Sequence, residues 1–254
     1  MAMNCPAPRE RCDAAAPDCR GDPPANHVLE TGIRDWRYGI GQGKDVVREP
    51  AVAIREARVS VVLVDAGGTN IGSVRYALQR LGVDAALTSD AATIRAADKV
   101  ILPGVGAAPR GMARLRELGL VESLRSLTQP VLGVCLGMQL LCAHSDEGDT
   151  PCLEIIPANV SKLQALRGLR VPHMGWNRVE HLATHPLLAG LAENDAAYFV
   201  HSYAVPVGPW TVASSRYGQA FSAVVACGNF MGAQFHPERS SGLGAQLLRN
   251  FLAL

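Results

Sequence analysis

The sequence predicts a mixed α/β fold: a largely parallel sheet flanked by helices, with a more antiparallel second half. Two observations predict it. Between residues 59 and 143, continuously apolar runs of strand length alternate with stretches of helical periodicity, which is typical of a parallel sheet covered on both faces. After residue 154 the predicted strands are shorter and are separated by Gly and Pro turns, which favours antiparallel neighbours.

The first half supplies the parallel part of the sheet and its helices. Apolar runs predict buried strands over 59–64, 85–88, 99–102 and 130–134. Pro103 and Gly104 are expected to break the third of these strands. Helical spacing predicts helices over 73–81, 112–127 and 136–143, the second of them in two pieces around Gly119.

The second half and the leading segment differ from this pattern. Strands are predicted around Val179 and over 197–200, 223–226 and 230–235, and a last helix over 244–252. Residues 1–58 are rich in Pro, Ala, Arg and Asp and show little periodicity. We therefore predict a poorly ordered extension over 1–58, followed by one folded domain over 59–254.

The composition excludes several classes of function. With 24 basic and 23 acidic residues the formal net charge is +1, so there is no global footprint for nucleic acid or an anionic membrane. No run approaches the roughly 18 apolar residues of a membrane helix. The first twenty residues lack the apolar centre of a secretory signal, so we expect a cytoplasmic protein. Its seven cysteines should then form no disulfide framework, and neither a metal nor a cofactor is expected.

Cys135 is the first candidate for chemistry. It stands in Gly-Val-Cys-Leu-Gly at 133–137, between a predicted strand and a predicted helix. This pattern is the sulfur analogue of the elbow that places a nucleophile on a sharp turn, and the helix N-terminus favours the thiolate. Taken alone, the pattern is equally compatible with a buried structural cysteine, which is our interpretation of Cys142 and Cys227.

A base and its orienting group are predicted near the C-terminus, in Gln-Phe-His-Pro-Glu at 234–238. Pro237 disfavours a helical conformation at His236, so the segment should be extended or turning. In an extended segment, residues two apart face the same way, and Glu238 could then hold the His236 ring. We predict a catalytic triad of Cys135, His236 and Glu238.

These two segments resemble those of the class I (triad) glutamine amidotransferases. The resemblance implies that Cys135 attacks the side-chain amide of glutamine, that ammonia leaves, and that water then clears a glutamyl thioester. It implies that His236 serves as base and then acid, while Glu238 orients it. It further implies an oxyanion hole made by the backbone N–H groups of Leu136 and of Val105, the latter in Pro-Gly-Val-Gly at 103–106.

Further segments resemble the glutaminase subunits of imidazole glycerol phosphate synthase in particular. They are Pro-His-Met-Gly-Trp-Asn at 172–177, His-Ser-Tyr at 201–203, Asp65 with Asn70, and Met138 where many relatives have His. That family implies a role in histidine biosynthesis and a partner, a separate (β/α)8-barrel cyclase subunit that receives the ammonia through an internal channel. It implies substrate binding by Gly106, Gln139, Glu147, Ser202 and Tyr203, and an interface or channel rim of Tyr198, Trp176, Asn177 and Arg239.

Some positions depart from the family pattern, and two alternatives are weighed against this interpretation. Ala66, Thr69 and Arg239 differ from the residues expected there, at positions that the resemblance places on the partner-facing rim. One alternative is the glutaminase subunit of another amidotransferase, such as anthranilate synthase; Met138 and the Trp176 segment argue against it. The other is a non-catalytic relative with the same fold, against which the complete triad argues. Without the resemblance, Glu147 would be interpreted as a solvated charge and Trp176 as a core residue.

Overall fold

An eight-stranded sheet forms the centre of the protein, as described by a computed structural model for residues 59–67, 71–164, 168–192 and 195–254. The extension predicted over 1–58, and Thr69 and Asn70, lie outside the described residues. The strands of the described residues are, in chain order, β1 (Val61–Val64), β2 (Ala86–Thr88), β3 (Lys99–Gly104), β4 (Val131–Cys135), β5 (Cys142–Ser145), β6 (Thr150–Pro151), β7 (Ile156–Lys162), β8 (His173–Arg178), β9 (Glu180–His181), β10 (Ala196–His201), β11 (Tyr203–Ala204), β12 (Thr211–Tyr217), β13 (Gln219–Cys227) and β14 (Phe230–Ala233).

The order of the central sheet is β2-β1-β3-β4-β14-β13-β12-β9. Every pairing from β2 to β14 is parallel, and every pairing from β14 to β9 is antiparallel. Two smaller sheets accompany it, one of order β11-β7-β5-β6 and one formed by β10 and β8. The predicted fold class is confirmed: the first half of the chain builds parallel strands, and the second half adds one more parallel strand, β14, followed by the antiparallel strands β13, β12 and β9.

Six α-helices lie in the described residues: α1 (Ile71–Arg80), α2 (Ala91–Ala96), α3 (Ala108–Glu117), α4 (Val121–Arg125), α5 (Leu136–Leu140) and α6 (Ser241–Ala253). Two short 3-10 turns, Pro186–Leu188 and Pro237–Arg239, complete the helical elements there. Helices α3 and α4 are the two predicted pieces on either side of Gly119. Helix α2 was not predicted. It begins at Asp90, whose side chain accepts a hydrogen bond from the Thr93 N–H at 2.7 Å, which is the usual N-cap arrangement.

Several predicted boundaries differ from the structure by a few residues, and two of them affect elements next to Cys135. The helix predicted over 136–143 ends at Leu140, and Cys142 begins strand β5, which pairs with β7. In a short buried apolar run, periodicity does not distinguish a helix from a strand. The type of element is then decided by whether a neighbouring strand is present to pair with it. Strand β3 continues through Pro103 to Gly104 instead of stopping before them, because these residues pair with Val134 and Cys135 of β4.

Two apolar cores cover the two faces of the sheet. Successive residues of β1 alternate between them: Val61 and Leu63 belong to one core, and Val62 and Val64 belong to the other. Side chains of a strand point alternately to opposite faces, so both faces of β1 are buried. This two-sided burial explains why the parallel strands are continuously apolar in sequence.

Helix α5 follows β4 without a linker and packs closely against β3. A Cβ atom on Gly137 would collide with the carbonyl oxygen of Leu102, and one on Gly133 would lie 2.7 Å from the backbone of Met138. Only glycine allows this approach at either position. The two glycines are therefore what lets the chain turn from strand to helix at Cys135.

Replacing Gly137 by alanine should destabilise the fold by at least about 2 kcal/mol, because the added methyl group forces α5 away from β3. Urea denaturation of the purified variant measures this change. The matched control is Gly72→Ala within α1, where the nearest atom to a new Cβ is 4.0 Å away; it should be neutral or stabilise by up to about 1 kcal/mol. Equal stabilities of the two variants would contradict the close-packing argument.

Candidate active site

Cys135 sits on a strained turn at the carboxyl end of β4. Its backbone has φ 53° and ψ −111°, and it is the residue that precedes the first turn of α5. A positive φ at a residue other than glycine costs on the order of 1–3 kcal/mol and persists only where the surrounding structure holds it. Here the parallel neighbours of β4 and the close packing of α5 hold it. The structure thus gives the elbow conformation that the Gly-Val-Cys-Leu-Gly segment predicts.

The Cys135 sulfur faces polar groups from two other strands. The Gln234 side-chain amide donates toward the sulfur at 3.8 Å, and the thiol lies 3.8 Å from the Val200 carbonyl oxygen. Gln234 directly follows β14, the parallel neighbour of β4, and Val200 lies in β10. The thiol is therefore held by the sheet and by the β8–β10 pair together.

His236 and Glu238 form a buried pair beside the thiol. The Nδ1 atom of His236 lies 3.0 Å from Oε1 of Glu238, and the two side chains are 8% and 1% exposed. A carboxylate accepts the hydrogen bond, so Nδ1 carries a proton and Nε2 is left for the sulfur. The extended arrangement that the spacing suggested is not what brings them together. Glu238 lies in the 3-10 turn Pro237–Arg239, and this turn places the carboxylate against the ring.

The charge state of His236 depends on its two partners. Burial lowers the pKa of the imidazole, but hydrogen bonds and charge interactions with Cys135 and Glu238 outweigh burial and raise the pKa to about 10. The ring is therefore protonated at neutral pH. An imidazolium beside a sulfur stabilises the thiolate, which is the nucleophilic form of cysteine.

A cavity of about 290 Å³ opens onto the sulfur and the imidazole, a size at the low end for small-molecule sites. It contains the predicted oxyanion residues and all five predicted substrate residues, together with three that were not predicted as site residues, Pro172, Val200 and His201. Its wall is formed by Val105, Gly106, Cys135, Leu136, Gln139, Glu147, Pro172, Val200, His201, Ser202, Tyr203 and His236. The topology thus brings six separate segments of the chain to one small pocket.

Glu147 is held in the wall of this cavity by a helix terminus. Its Oε2 atom accepts a hydrogen bond from the Ala108 N–H at 2.7 Å. Ala108 is the first residue of α3, which has no side-chain cap at its own N-cap position. An anionic side chain is favoured at a helix N-terminus, where N–H groups lack partners. Glu147 is therefore not a freely solvated charge.

Gln139 uses both hydrogens of its amide inside the protein. Its Nε2 atom donates to the Tyr203 carbonyl oxygen at 2.8 Å and to Oε1 of Gln234 at 2.9 Å. An amide NH₂ has two hydrogens, so Gln139 offers a ligand only its oxygen. Gln234 was missed as a site residue, although it opens the Gln-Phe-His-Pro-Glu segment. The signal for it is a polar side chain at the end of a strand whose side chains are otherwise apolar.

The predicted interface residues divide into two groups. Trp176 is 55% exposed and lies edge-on to Tyr198, the residue opposite it on β10, with ring centroids 5.9 Å apart. The Arg239 guanidinium lies 4.6 Å from the centre of the Tyr198 ring. Asn177 points to the opposite side of β8 and donates to the Arg216 carbonyl oxygen at 2.9 Å. Trp176 is thus not a core residue, and Asn177 belongs to the inner face.

Two buried histidines lie next to the cavity. His173 Nδ1 and His201 Nε2 are 3.0 Å apart, and His201 Nδ1 lies 2.9 Å from the Tyr203 carbonyl oxygen. Burial lowers the pKa of His173 to about 4. Burial also lowers the pKa of His201 to about 3, against the opposing effect of its bond to Tyr203; electrostatic interactions with His173 and His236 lower it further. Both rings are therefore neutral at pH 7.

Cysteine and metal chemistry outside Cys135 is limited in the part of the chain that the structure describes. Its four cysteines, Cys135, Cys142, Cys152 and Cys227, are free thiols. Within the same residues, no group of three or more His, Cys, Asp and Glu side chains is arranged to hold a metal ion. None of the helices described there combines the length and apolarity that crossing a membrane requires.

Comparison with known proteins assigns the family. The family described as "Glutamine amidotransferase class-I" matches residues 62–254. The chain belongs to this family. It is also 58% identical over 194 residues to imidazole glycerol phosphate synthase subunit HisH of Xanthomonas axonopodis pv. citri, and 56% identical to the HisH subunit of Xylella fastidiosa strain 9a5c. Each match covers 76% of this chain and 97% of the relative.

The fold of the class I amidotransferases is found in solved structures as well. A crystal structure of a glutamine amidotransferase superposes with a TM-score of 0.60 at 23% identity, covering 76% of this chain and 98% of that one. At this identity the likeness establishes the fold alone. The parallel sheet with its antiparallel extension is accordingly the amidotransferase fold.

The two buried histidines should make the stability of this amidotransferase sensitive to acid. Their pKa values are lower in the folded protein than in the unfolded chain. Their contribution to the free energy of unfolding is therefore complete above the unfolded-state pKa of about 6.5, and it is lost as the pH falls toward the folded-state pKa values. For His201 we expect a loss of about 2 to 3 kcal/mol between pH 7 and pH 4. The measurement is urea denaturation at several pH values on the wild type and on His201→Asn, in which this fall should be smaller. Parallel curves for the two proteins would refute the assignment.

Proposed function

We propose that this chain hydrolyses glutamine to glutamate and ammonia, and that it delivers the ammonia to a cyclase subunit that makes imidazole glycerol phosphate in histidine biosynthesis. One observation carries the proposal: the thiol of a strained elbow and the imidazole of a buried His–Glu pair line one small cavity. This occurs in a chain that is 58% identical to a HisH subunit over 97% of that subunit's length.

In the proposed first half-reaction, the Cys135 thiolate attacks the side-chain amide carbon of glutamine. The oxyanion that forms accepts hydrogen bonds from the backbone N–H groups of Val105 and Leu136, and each such donor is worth several kcal/mol in the transition state. His236, protonated in the resting site, gives its proton to the departing nitrogen. Ammonia leaves, and a glutamyl thioester remains on Cys135.

In the second half-reaction, water attacks the thioester. Neutral His236 takes a proton from the water, the carbon–sulfur bond breaks, and glutamate leaves with the thiolate and the imidazolium restored. Glu238 does not transfer a proton. It fixes the tautomer of the ring and stabilises its charge, as the 3.0 Å contact with Nδ1 allows.

The same cavity supplies groups for the rest of the glutamine molecule. On this proposal the Glu147 carboxylate pairs with the α-ammonium group, and the backbone at Ser202 and Tyr203 holds the α-carboxylate. Gly106 and the side-chain oxygen of Gln139 complete the binding site. All five residues line the cavity next to the sulfur, which supports these roles.

The cyclase partner is proposed to dock on the exposed aromatic surface around Trp176, giving a cytoplasmic heterodimer. Met174 and Trp176 are 63% and 55% exposed, Tyr198 lies beside Trp176, and Arg239 lies over the Tyr198 ring. Large apolar side chains gathered on a surface mark interaction sites, and interfaces are enriched in Trp, Tyr, Met and Arg. The catalytic domain on this proposal is residues 59–254, preceded by an extension over 1–58.

Cys135→Ala and Cys135→Ser should each lower glutamate release by roughly a thousandfold or more, because no other group can form the thioester. The assay contains glutamine, the barrel cyclase subunit and its nucleotide ligand. Cys227→Ser, which changes a cysteine away from the cavity, is the matched control and should keep wild-type turnover. Turnover that survives the loss of the Cys135 sulfur would end the proposal. So would stimulation by an anthranilate synthase partner but not by the cyclase.

The isolated subunit should show little glutaminase activity, at least about tenfold below the assembled pair, because hydrolysis without an acceptor wastes ammonia. The physical basis is the Gly-rich strand end at 104–106, where Gly106 has φ 100° and a peptide can reorient to present an oxyanion donor. Steady-state glutamate release with and without the cyclase measures the difference. High constitutive turnover of the lone subunit would contradict this prediction.

A further inference from the structure

A continuous series of hydrogen bonds runs from strand β8 to the Cys135 sulfur. We call it the polar relay, and its members in order are Asn177, His173, His201, the Tyr203 carbonyl, Gln139 and Gln234. The last member, Gln234, reaches the sulfur at 3.8 Å. His173, His201, Gln139 and Gln234 are all buried. The catalytic sequence above uses neither histidine.

The relay allows only one assignment of protons. The Tyr203 carbonyl can only accept, so His201 must carry its proton on Nδ1, and its Nε2 must then accept. His173 therefore donates from Nδ1 to His201 across 3.0 Å, and its own Nε2 accepts from the Asn177 amide at 3.4 Å. Both rings are neutral and each is fixed in one tautomer.

The Tyr203 carbonyl is the point where the histidines meet the glutamines. It accepts from His201 at 2.9 Å and from Gln139 at 2.8 Å. Gln139 then donates its second hydrogen to Oε1 of Gln234. This bond decides which way the Gln234 amide faces: with its oxygen bound to Gln139, its NH₂ group is directed at the sulfur. A flipped amide would instead place an oxygen against the thiolate.

The surroundings of His173 show that packing alone does not require a histidine. Its ring is stacked between Phe199 and Tyr217, at centroid distances of 5.1 Å and 4.1 Å. An aromatic hydrocarbon would fill this slot without the cost of burying polar nitrogens. Buried polar groups that are fully hydrogen-bonded specify one arrangement of their neighbours. The arrangement specified here is that of the two glutamine amides.

We propose that His173 and His201 are positioning residues that hold Gln139 and Gln234 so that the Gln234 amide N–H faces the Cys135 sulfur. The relay begins on the inner face of β8, at the residue next to exposed Trp176, and ends at the reacting atom. Of the two tests below, only the turnover measurement depends on the proposed glutaminase function. The reactivity of the Cys135 sulfur tests the positioning role independently of that function.

The decisive comparison is His201→Asn against His201→Leu. The side-chain nitrogen of asparagine takes the place of Nδ1 and keeps the bond to the Tyr203 carbonyl, whereas leucine removes it. We expect kcat for glutamate release, with the cyclase and its nucleotide ligand present, to fall at least about tenfold in His201→Leu and less than about threefold in His201→Asn. A packing role predicts the reverse order, because leucine suits the apolar surroundings of this ring better than asparagine does.

The second measurement is alkylation of Cys135 by iodoacetamide in the full chain, followed by peptide mass spectrometry across a range of pH. Loss of the Gln234 N–H from the sulfur should move the pH profile of alkylation upward in His201→Leu and leave it in place in His201→Asn. His173→Phe keeps the aromatic stack and removes the donor to His201, so it should give a smaller shift in the same direction. His185→Leu is the control. That ring is not part of the relay and accepts from the Leu187 N–H, so the variant should match the wild type.

The outcomes separate the relay from the proposed function. If the wild type releases no glutamate with the cyclase, the proposed function fails, and the alkylation profiles alone decide on the relay. If the wild type is active but His201→Leu matches His201→Asn in both turnover and alkylation, the relay is overturned. Thermal unfolding checks that each variant folds. Should His201→Leu not fold, Gln234→Met keeps the length of the side chain without its amide, and it must shift the alkylation profile for the proposal to stand.

Discussion

The site depends on the parallel pairing of β4 with β14. These strands are about a hundred positions apart in sequence and lie side by side, with Val134 opposite Ala233. Because the carboxyl ends of parallel strands meet at one edge of a sheet, the residues that follow them are brought together. Cys135 ends one strand, and Gln234 and His236 follow the other. No local sequence pattern indicates that these groups meet. The pairing of β4 with β14 brings them together.

The elbow and the imidazole depend on this pairing in different ways. The positive φ of Cys135 is sustained because α5 packs directly on β3, which the glycines at 133 and 137 permit. The backbone of His236 is held by two contacts: its N–H donates to the Tyr198 carbonyl at 3.0 Å, and its own carbonyl accepts from the Ser240 hydroxyl at 2.7 Å. The sulfur is positioned by the strained backbone, whereas the ring of His236 is oriented by its contact with Glu238.

The sequence predicted the features that have a local pattern, and it missed those that form only when distant segments pair. Continuous apolar strands, the cysteine elbow and the His-Pro-Glu segment are local patterns, and they predicted the parallel sheet and the pairing of Cys135 with His236. The oxyanion and substrate residues were implied only by the resemblance to class I amidotransferases. The change from α5 to β5 at Cys142 could not be predicted, because a buried run of either type has the same composition and β5 forms only against β7. The His173–His201 pair was missed for a similar reason. Its two members are 28 positions apart, and antiparallel pairing of β8 with β10 brings them together.

The three histidines near the cavity show how one site assigns opposite charge states to the same side chain. His236 has Glu238 behind it and the sulfur in front, and its pKa is raised to about 10. His201 has a carbonyl and a neutral ring as partners, and burial lowers its pKa to about 3. The two states support each other, because the positive charge on His236 further disfavours a proton on His201. A neutral His201 keeps one nitrogen as an acceptor for His173, and this fixes the tautomer that binds the Tyr203 carbonyl. The charge that activates the sulfur thus also stabilises the neutral histidine pair next to it.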